Sequence, residues 1–196
     1  MKSEVFLIRH GETEENRSRI IQGQISSRLS EKGRKQADMI AQHLSGIPIA
    51  AIYSSDLLRA ADTARIIAEA LSMSPIRYDL RLRERAFGIY EGKPLFTLLR
   101  ALAKAGNNLK TFVPENGEPY QAVLNRTGDF LYDMGKHYAG VTVLAITHHT
   151  VIEAAIDIYR KDLFSGTRLD NCDGIVLQLS RNAILDVKEI THNESL

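Results

Sequence analysis

Short apolar runs alternate along the chain with segments in which apolar residues recur every three or four positions. The runs at residues 5–8, 49–53, 141–146, 175–179 and 184–187 predict buried strands, because each is short and rich in aliphatic residues. The recurring pattern predicts helices at residues 37–44, 57–71, 95–102, 123–134 and 151–159. Their alternation predicts a layered α/β fold with a mostly parallel central sheet.

Two stretches interrupt this alternation. Residues 9–30 are polar and show no sustained helical periodicity, which predicts a long loop of the kind that often carries function. Residues 94–119 are the least regular part of the chain and contain clusters of Gly, Asn and Pro, which predicts an insertion. We also predict that Asp56 is the N-cap of the helix that follows the second strand.

Length and charge narrow the class of protein. The 196 residues correspond to about one domain. With 25 Lys and Arg against 24 Asp and Glu, the chain lacks the basic excess of a nucleic-acid binder or a polybasic membrane-surface protein. The apolar run near its start is too short for a signal peptide or a spanning helix. We therefore expect a cytoplasmic protein with neither nucleic-acid nor membrane partners.

Polar side chains follow three of the predicted strands at the point where each strand ends. They are Arg9 and His10 after the first strand, Ser54 and Ser55 with Arg59 after the second, and Thr147 and His148 after the run at 141–146. Ligands of open α/β sheets bind beyond the carboxyl ends of the strands. Two arginines and the N-terminus of a helix at that edge are suited to a phosphate dianion, which predicts an anion site.

The same residues belong to a longer ordered set of motifs. The set comprises Arg9-His10-Gly11-Glu12-Thr13, Asn16, Gln22-Gly23, Leu29-Ser-Glu-Lys-Gly33, Ser55-Asp-Leu-Leu-Arg59-Ala, Thr63-Ala64, Arg83-Glu84, Phe87-Gly88, Glu91-Gly92 and Thr147-His148. With these motifs the chain resembles the histidine phosphatase superfamily, the phosphoglycerate mutase-like family, over nearly its whole length. The resemblance implies a three-layer α/β/α fold, with residues 1–196 forming one domain and an insertion or lid at about 94–119.

The resemblance also implies a role for each matching residue. His10 would be the nucleophile that accepts the phosphoryl group, while Arg9, Arg59 and His148 would hold the phosphate oxygens. The two arginines would lower the pKa of His10 and keep it neutral. Glu84 would protonate the leaving-group oxygen and later activate water. Three further positions match residues that contact or close over the phosphate: Asn16, Gln22 and Gly23.

Several positions depart from the pattern of the family. Ser26 and Arg28 stand where the family commonly has Asp and Pro, and Pro119 replaces a Ser after Glu118. His149 replaces a small residue after the second histidine, and we expect its side chain to point away from the site. Arg85 occupies a position that is usually apolar; with Arg81 and Arg83 it would share one solvated face of an extended segment.

These observations leave three functions open. The first is a metal-independent phosphomonoesterase, a histidine acid-type phosphatase, that acts on a small phosphorylated metabolite through a phosphohistidine. The second is a phosphoglycerate mutase. The resemblance disfavours it, because mutase members carry an additional Arg-Arg-containing segment in the insertion that grips a second phosphate, whereas residues 95–116 contain only Arg100, Lys104 and Lys110 as cations. The third is a phospho-ligand binding module without turnover. Because neither a His-Glu-x-x-His helix nor an Asp-rich loop occurs and Cys172 is the only cysteine, we expect no metal and no cofactor.

Overall fold

A computed structural model of the protein describes residues 2–159, 169–180 and 183–191. In these ranges six strands form one sheet with the order β3-β2-β4-β1-β5-β6. The strands are β1 (Ser3–Arg9), β2 (Ile49–Ser54), β3 (Ile76–Tyr78), β4 (Thr142–Thr147), β5 (Gly174–Ser180) and β6 (Ala183–Ile190). The helices are α1 (Glu14–Arg17), α2 (Glu31–Leu44), α3 (Leu58–Ala70), α4 (Leu95–Ala105), α5 (Tyr120–His137) and α6 (His149–Tyr159), with short 3₁₀ turns at Leu80–Leu82 and Gly88–Tyr90.

The sheet is mixed, and its parallel part carries the predicted fold. β3, β2, β4 and β1 pair in parallel, whereas β5 and β6 join in antiparallel fashion next to β1. The predicted α/β class with a mostly parallel sheet is confirmed. No helix in the described part of the chain is both long and apolar enough to cross a bilayer.

Different helices cover the two faces of the sheet. On one face α2 and α3 pack over a buried cluster that includes Ile8, Ile52 and Leu144. On the other face α5 and α6 pack over a second cluster that includes Leu7 and Val143. Each buried aliphatic side chain of this kind stabilises the fold by about 1.5–3 kcal/mol. Because β1 and β4 are apolar on both faces, they form a rigid centre from which the site residues project.

The strand ends that carry the candidate residues lie side by side. In the parallel register Arg9 of β1 is paired with Thr147 of β4. The backbone N–H of His10 continues this ladder by donating to the Thr147 carbonyl over 3.0 Å. The N–H of Ser55, which follows β2, donates to the Ile146 carbonyl over 2.9 Å. Three strands therefore deliver their polar residues to one edge of the sheet.

Two local predictions are wrong. The predicted loop at residues 9–30 contains the short helix α1, because Thr13 and Asn16 form a reciprocal capping box around its first turn. Asp56 does not cap α3, whose N-cap is Leu57 without a side-chain hydrogen bond. The Asp56 carboxylate instead pairs with the Arg83 guanidinium over 2.7 and 2.5 Å, an interaction between residues that are distant in sequence.

The loop after β1 crosses the start of α2 at a pair of glycines. A Cβ atom at Gly11 would collide with the backbone of Gly33, and a Cβ at Gly33 would collide with the backbone of Glu12. The two segments therefore approach more closely than any side chain permits. This crossing fixes the path of the chain immediately after His10.

Candidate active site

His10 is buried at the end of β1 in a defined tautomer. Its side chain is only 3% exposed, and its Nδ1 lies 2.8 Å from the Gly11 carbonyl oxygen. Because a carbonyl oxygen only accepts, Nδ1 carries the ring proton and Nε2 carries the lone pair. Burial, and after it the charges of Arg59 and Arg9, lowers the pKa of His10 well below its ordinary value. The imidazole is therefore neutral, with a nucleophilic nitrogen at Nε2.

Arg59 contacts this nitrogen and also anchors the loop above it. Its Nε donates to His10 Nε2 over 3.2 Å, and its Nη2 donates to the Gly23 carbonyl over 2.7 Å. Its Nη1 reaches the Ile25 carbonyl and the Ser27 hydroxyl, each over 3.2 Å. Burial lowers the pKa of Arg59 to about 10, which leaves the guanidinium charged at neutral pH. Arg59 thus links the nucleophile to the segment at residues 22–27.

Arg9 supplies a second, partly buried cation. Its Nη1 donates to the Leu169 carbonyl over 2.7 Å, while its Nε has no hydrogen-bond partner among the described residues. Burial lowers the pKa of Arg9, and the carboxylate of Glu84 acts in the opposite direction. A buried N–H without a partner is costly, so an anion that accepts from it would be bound favourably.

His148 lies beside His10 on the neighbouring strand end. The two ring centroids are 5.1 Å apart, and His148 Nε2 is 2.9 Å from the Ser55 hydroxyl. Its Nδ1 is buried without a partner in the described part of the molecule. Burial, followed by the charge of Arg59, lowers the pKa of His148 well below its ordinary value. Two neutral imidazoles and two guanidinium groups therefore meet at this edge.

The structure also brings the three predicted loop residues to the site. The Asn16 side-chain oxygen accepts from Thr13 N–H and from the Asn171 amide, each over 3.2 Å, so its NH2 group is the part available to a ligand. Gln22 Oε1 accepts from the Ser27 hydroxyl over 2.6 Å. Gly23 has φ +49°, and a Cβ there would collide with the Glu91 side chain. Only glycine fits this position without strain.

Glu84 is the carboxylate of the site. It is 8% exposed, and its Oε1 accepts the backbone N–H of Arg85 over 2.7 Å. Its charge partly offsets the lowering of the pKa of both Arg9 and Arg59 by burial. Glu84 lines the same cavity as both arginines.

A cavity of about 280 Å³ opens onto these groups. Seven of the eight predicted site residues line it: Arg9, His10, Asn16, Gln22, Gly23, Arg59 and Glu84. The eighth, His148, does not line the cavity and reaches it only through contact with the His10 ring. The arrangement can hold a tetrahedral anion against a nucleophilic nitrogen, with a carboxyl group at its side.

His149 does not point away from the site, and that prediction is wrong. It lines the cavity together with Thr150 and Glu153, and its Nε2 is 3.6 Å from the Glu153 carboxylate. The prediction failed because α6 begins at His149 itself. The spacing of positions 149 and 153 places both side chains on one helical face, a signal in the sequence that could have identified them.

Arg85 is buried, which contradicts the predicted solvated face of Arg81, Arg83 and Arg85. Residues 80–82 form a 3₁₀ turn rather than an extended segment, and Arg85 is 1% exposed. Its guanidinium donates to three carbonyls of the segment that follows α4: Leu109, Phe112 over 2.5 Å and Glu118 over 2.8 Å. We call this group and the carbonyls it binds the Arg85 clamp.

Glu118 and Arg126 support the clamp from behind. The Arg126 guanidinium binds both carboxylate oxygens of Glu118 over 2.9 and 3.0 Å. It also donates to the carbonyls of Arg81 and of Arg83, the residue immediately before Glu84. The backbone that carries Glu84 is thereby fixed on both sides.

The described residues contain no group of three or more His, Cys, Asp or Glu side chains placed to hold a metal ion. Arg9 and Arg59 supply positive charge at the site. Arg59 is buried, Arg9 is partly buried, and both line the cavity.

Comparisons with known proteins agree with this geometry. A sequence model described as histidine phosphatase superfamily (branch 1) matches residues 5–185. Fructose-2,6-bisphosphatase TIGAR of Xenopus tropicalis is 43% identical over 128 residues, which are 63% of this chain and 46% of that protein. Metal-independent phosphoserine phosphatase of Arabidopsis thaliana is 36% identical over 163 residues, which are 78% of this chain and 66% of that protein.

A solved structure described as Bacillus stearothermophilus YhfR has a TM-score of 0.87 and 28% identity, covering 98% of this chain and 100% of that one. The chain spans about half the length of the TIGAR relatives that it matches. The similarity thus extends over sequence and three-dimensional structure alike.

Proposed function

Because this chain belongs to the histidine phosphatase superfamily (branch 1), we propose that it hydrolyses small phosphate monoesters without a metal ion, through a phosphohistidine at His10. The observation that carries the proposal is the lone pair at His10 Nε2, which faces the guanidinium of Arg59 in a buried cationic site. The printed phosphatase names of the Xenopus and Arabidopsis relatives support hydrolysis as the reaction.

In the first step His10 Nε2 attacks phosphorus and the bond from phosphorus to the ester oxygen breaks. Arg9 and Arg59 bind the non-bridging oxygens, and Arg59 moves its Nε hydrogen bond from His10 to the phosphate as the N–P bond forms. The NH2 group of Asn16 adds a neutral donor, while His148 packs against the His10 ring and does not itself line the cavity. As the general acid, Glu84 transfers a proton from its carboxyl group to the departing alkoxide.

In the second step water hydrolyses the phosphohistidine. Glu84, now a carboxylate, takes a proton from the water as the oxygen attacks phosphorus. The N–P bond breaks, inorganic phosphate leaves, and His10 returns to the neutral tautomer fixed by Gly11. The residue that serves as acid in the first step thus serves as base in the second.

We propose that residues 1–196 act as one domain and that the segment at about 94–119 forms the wall and cover of the cavity. Backbone hydrogen bonds from Ile21 N–H to the Lys93 carbonyl and from Leu95 N–H to the Arg19 carbonyl, over 2.9 and 2.8 Å, join this segment to the first loop.

The buried thiol of Cys172, a small filler of the core, is compatible with the reducing cytoplasm that we propose as the location.

Hydrolysis is favoured over mutase activity because the cavity offers little to a second anionic group. Among the described lining residues outside the phosphate site, Lys110 is paired with Asp157 over 2.6 and 2.8 Å. Arg100 and Lys104 are exposed and do not line the cavity. A mutase needs a free cation of this kind, because it must hold the second anionic group of its intermediate while that intermediate reorients in the site.

The test uses 3-phosphoglycerate with EDTA present, following inorganic phosphate and 2-phosphoglycerate together. The proposal predicts phosphate release without a bisphosphorylated primer and without loss of activity to the chelator. Rapid accumulation of 2-phosphoglycerate that depends on the primer would assign mutase activity instead. A parallel assay with 4-nitrophenyl phosphate reports phosphatase activity independently of this one substrate.

A further inference from the structure

The part of the cavity beyond the phosphate site has an apolar wall. Ile20, Ile21, Phe87, Leu95, Leu98 and Leu109 all line the cavity. Ile21 and Leu98 belong to one buried cluster, against which Phe87 packs. The wall is built into the fold, because backbone hydrogen bonds join the loop that carries Ile21 to the start of α4.

Two of the polar groups in this part of the cavity, those of Tyr120 and Lys110, are already paired with Asp157. The Tyr120 hydroxyl donates to Asp157 over 2.7 Å, and Asp157 also accepts from Lys110. His149 faces Glu153. A hydroxyl-rich substrate that lay against the apolar wall would lose hydrogen bonds to water and find no partners on that wall, which is unfavourable. The Nδ1 of His149, which has no partner among the described residues, is one polar atom still available in this part of the cavity.

The charged groups in the part of the cavity beyond the phosphate site also disfavour a polar or anionic substrate. Three N–H groups of the Arg85 guanidinium are already bound to backbone carbonyls in the clamp. The carboxylate of Glu153 lines the cavity and would repel a second phosphate or a carboxylate. The volume of about 280 Å³ is close to the lower limit of small-molecule sites.

We propose that the preferred substrates are monophosphates of apolar alcohols, with an alkyl or aryl body and no second anionic group. This inference rests on the proposed phosphatase function. The phosphoryl group binds at Arg9 and Arg59, and the alcohol lies against the wall formed by Ile21, Leu95, Leu98 and Leu109.

The experiment measures kcat/KM for ethyl, butyl and hexyl phosphate, whose leaving groups have nearly the same basicity. Burial of a methylene group is worth about fourfold in binding when complete. With partial to complete burial we expect hexyl phosphate to exceed ethyl phosphate by about 10- to 200-fold. 3-Phosphoglycerate and fructose 1,6-bisphosphate should fall below hexyl phosphate.

The matched variants are Leu95→Ser with Leu109→Ser, and Leu99→Ser as the control. Leu95, Leu109 and Leu99 are 39%, 44% and 49% exposed, so these changes leave the buried core intact. Leu99 lies on the same helix as Leu95 but does not line the cavity. The double variant should lower the hexyl-to-ethyl ratio severalfold, and Leu99→Ser should leave it unchanged.

Three results would overturn the apolar assignment. They are equal kcat/KM values for ethyl, butyl and hexyl phosphate, a higher kcat/KM for fructose 1,6-bisphosphate than for hexyl phosphate, or an unchanged hexyl-to-ethyl ratio in the double variant. In each case hydrolysis itself would still be measured, so the phosphatase function would stand. Absence of hydrolysis of every monophosphate, including 4-nitrophenyl phosphate, would instead refute the proposed function and the inference with it.

Discussion

The Nε hydrogen of Arg59 points at Nε2 of His10 across 3.2 Å. The lone pair that we assign as the nucleophile therefore accepts a hydrogen bond from the same cation that we propose as a ligand of the phosphate. Because the other ring nitrogen donates to the Gly11 carbonyl, the imidazole cannot rotate without breaking two hydrogen bonds. The ring orientation that the proposed attack requires is therefore fixed by two hydrogen bonds.

Arg59→Lys keeps a positive charge but removes the planar group that reaches His10, Gly23 and Ile25 together. Loss of this donor from the transition state should lower kcat by about 10²- to 10³-fold. Steady-state kinetics with 4-nitrophenyl phosphate would measure the effect. Arg65→Lys, on the exposed side of the same helix, should retain full activity, and equal losses in both variants would contradict the role of Arg59.

Glu84→Gln should separate proton transfer from positioning. Its side-chain oxygen can still accept from the Arg85 N–H, so the local backbone should persist. For alkyl phosphates kcat should fall by about 10²- to 10⁴-fold, the range of general acid catalysis. 4-Nitrophenyl phosphate should lose less, because its leaving group needs little protonation. An equal loss on both substrates would show that Glu84 only shapes the pocket; Glu115→Gln, an exposed residue, is the control.

Arg85→Lys should weaken the segment after α4. A lysine ammonium lacks the planar fork that satisfies the carbonyls of Leu109, Phe112 and Glu118 together. Orphaning a buried carbonyl costs about 1–3 kcal/mol, and we expect a loss of stability of that order in urea unfolding. Arg100→Lys on the exposed face of α4 should be neutral, and equal stability of the two variants would contradict the clamp.

Stability should decline as the pH falls below about 6.5, the ordinary pKa of histidine. The lowered pKa values of His10 and His148 mean that the unfolded chain binds protons which the folded state excludes. Each group then costs up to about 1.4 kcal/mol per pH unit, from pH 6.5 down to its pKa in the folded protein. The free energy of unfolding can be measured with urea at pH 7.5, 6.5 and 5.5. It should fall less steeply with decreasing pH in His148→Gln than in the unmodified protein, and an equal pH dependence would contradict this account.

The strands that position the site residues can be predicted from the sequence, because each strand is marked by its own local run of apolar residues. β1 and β4 are continuous apolar runs, and the parallel pairing of such runs brings Arg9, His10 and His148 to one edge without further assumptions. The family motifs add Glu84, which no periodicity would single out. Seven of the eight proposed residues consequently line a common cavity.

The burial of Arg85 could not be predicted from the sequence in the same way. Its partners lie 24 to 33 positions away, and they are backbone carbonyls, which every residue possesses. The pairing of Asp56 with Arg83 spans 27 positions and likewise overrides the local preference of Asp for a helix N-cap. The apolar wall has the same origin, since it joins loop residues around Ile21 to Leu95 and Leu98.

The central claim is that His10 carries the phosphoryl group. The direct measurement is rapid quenching of the enzyme with ³²P-labelled 4-nitrophenyl phosphate, followed by mapping of the labelled peptide. We predict an acid-labile, base-stable label on His10 that forms and decays at rates consistent with kcat and is absent from His10→Ala. Label on Ser54, Ser55 or Asp56, or turnover by the alanine variant, would contradict the mechanism.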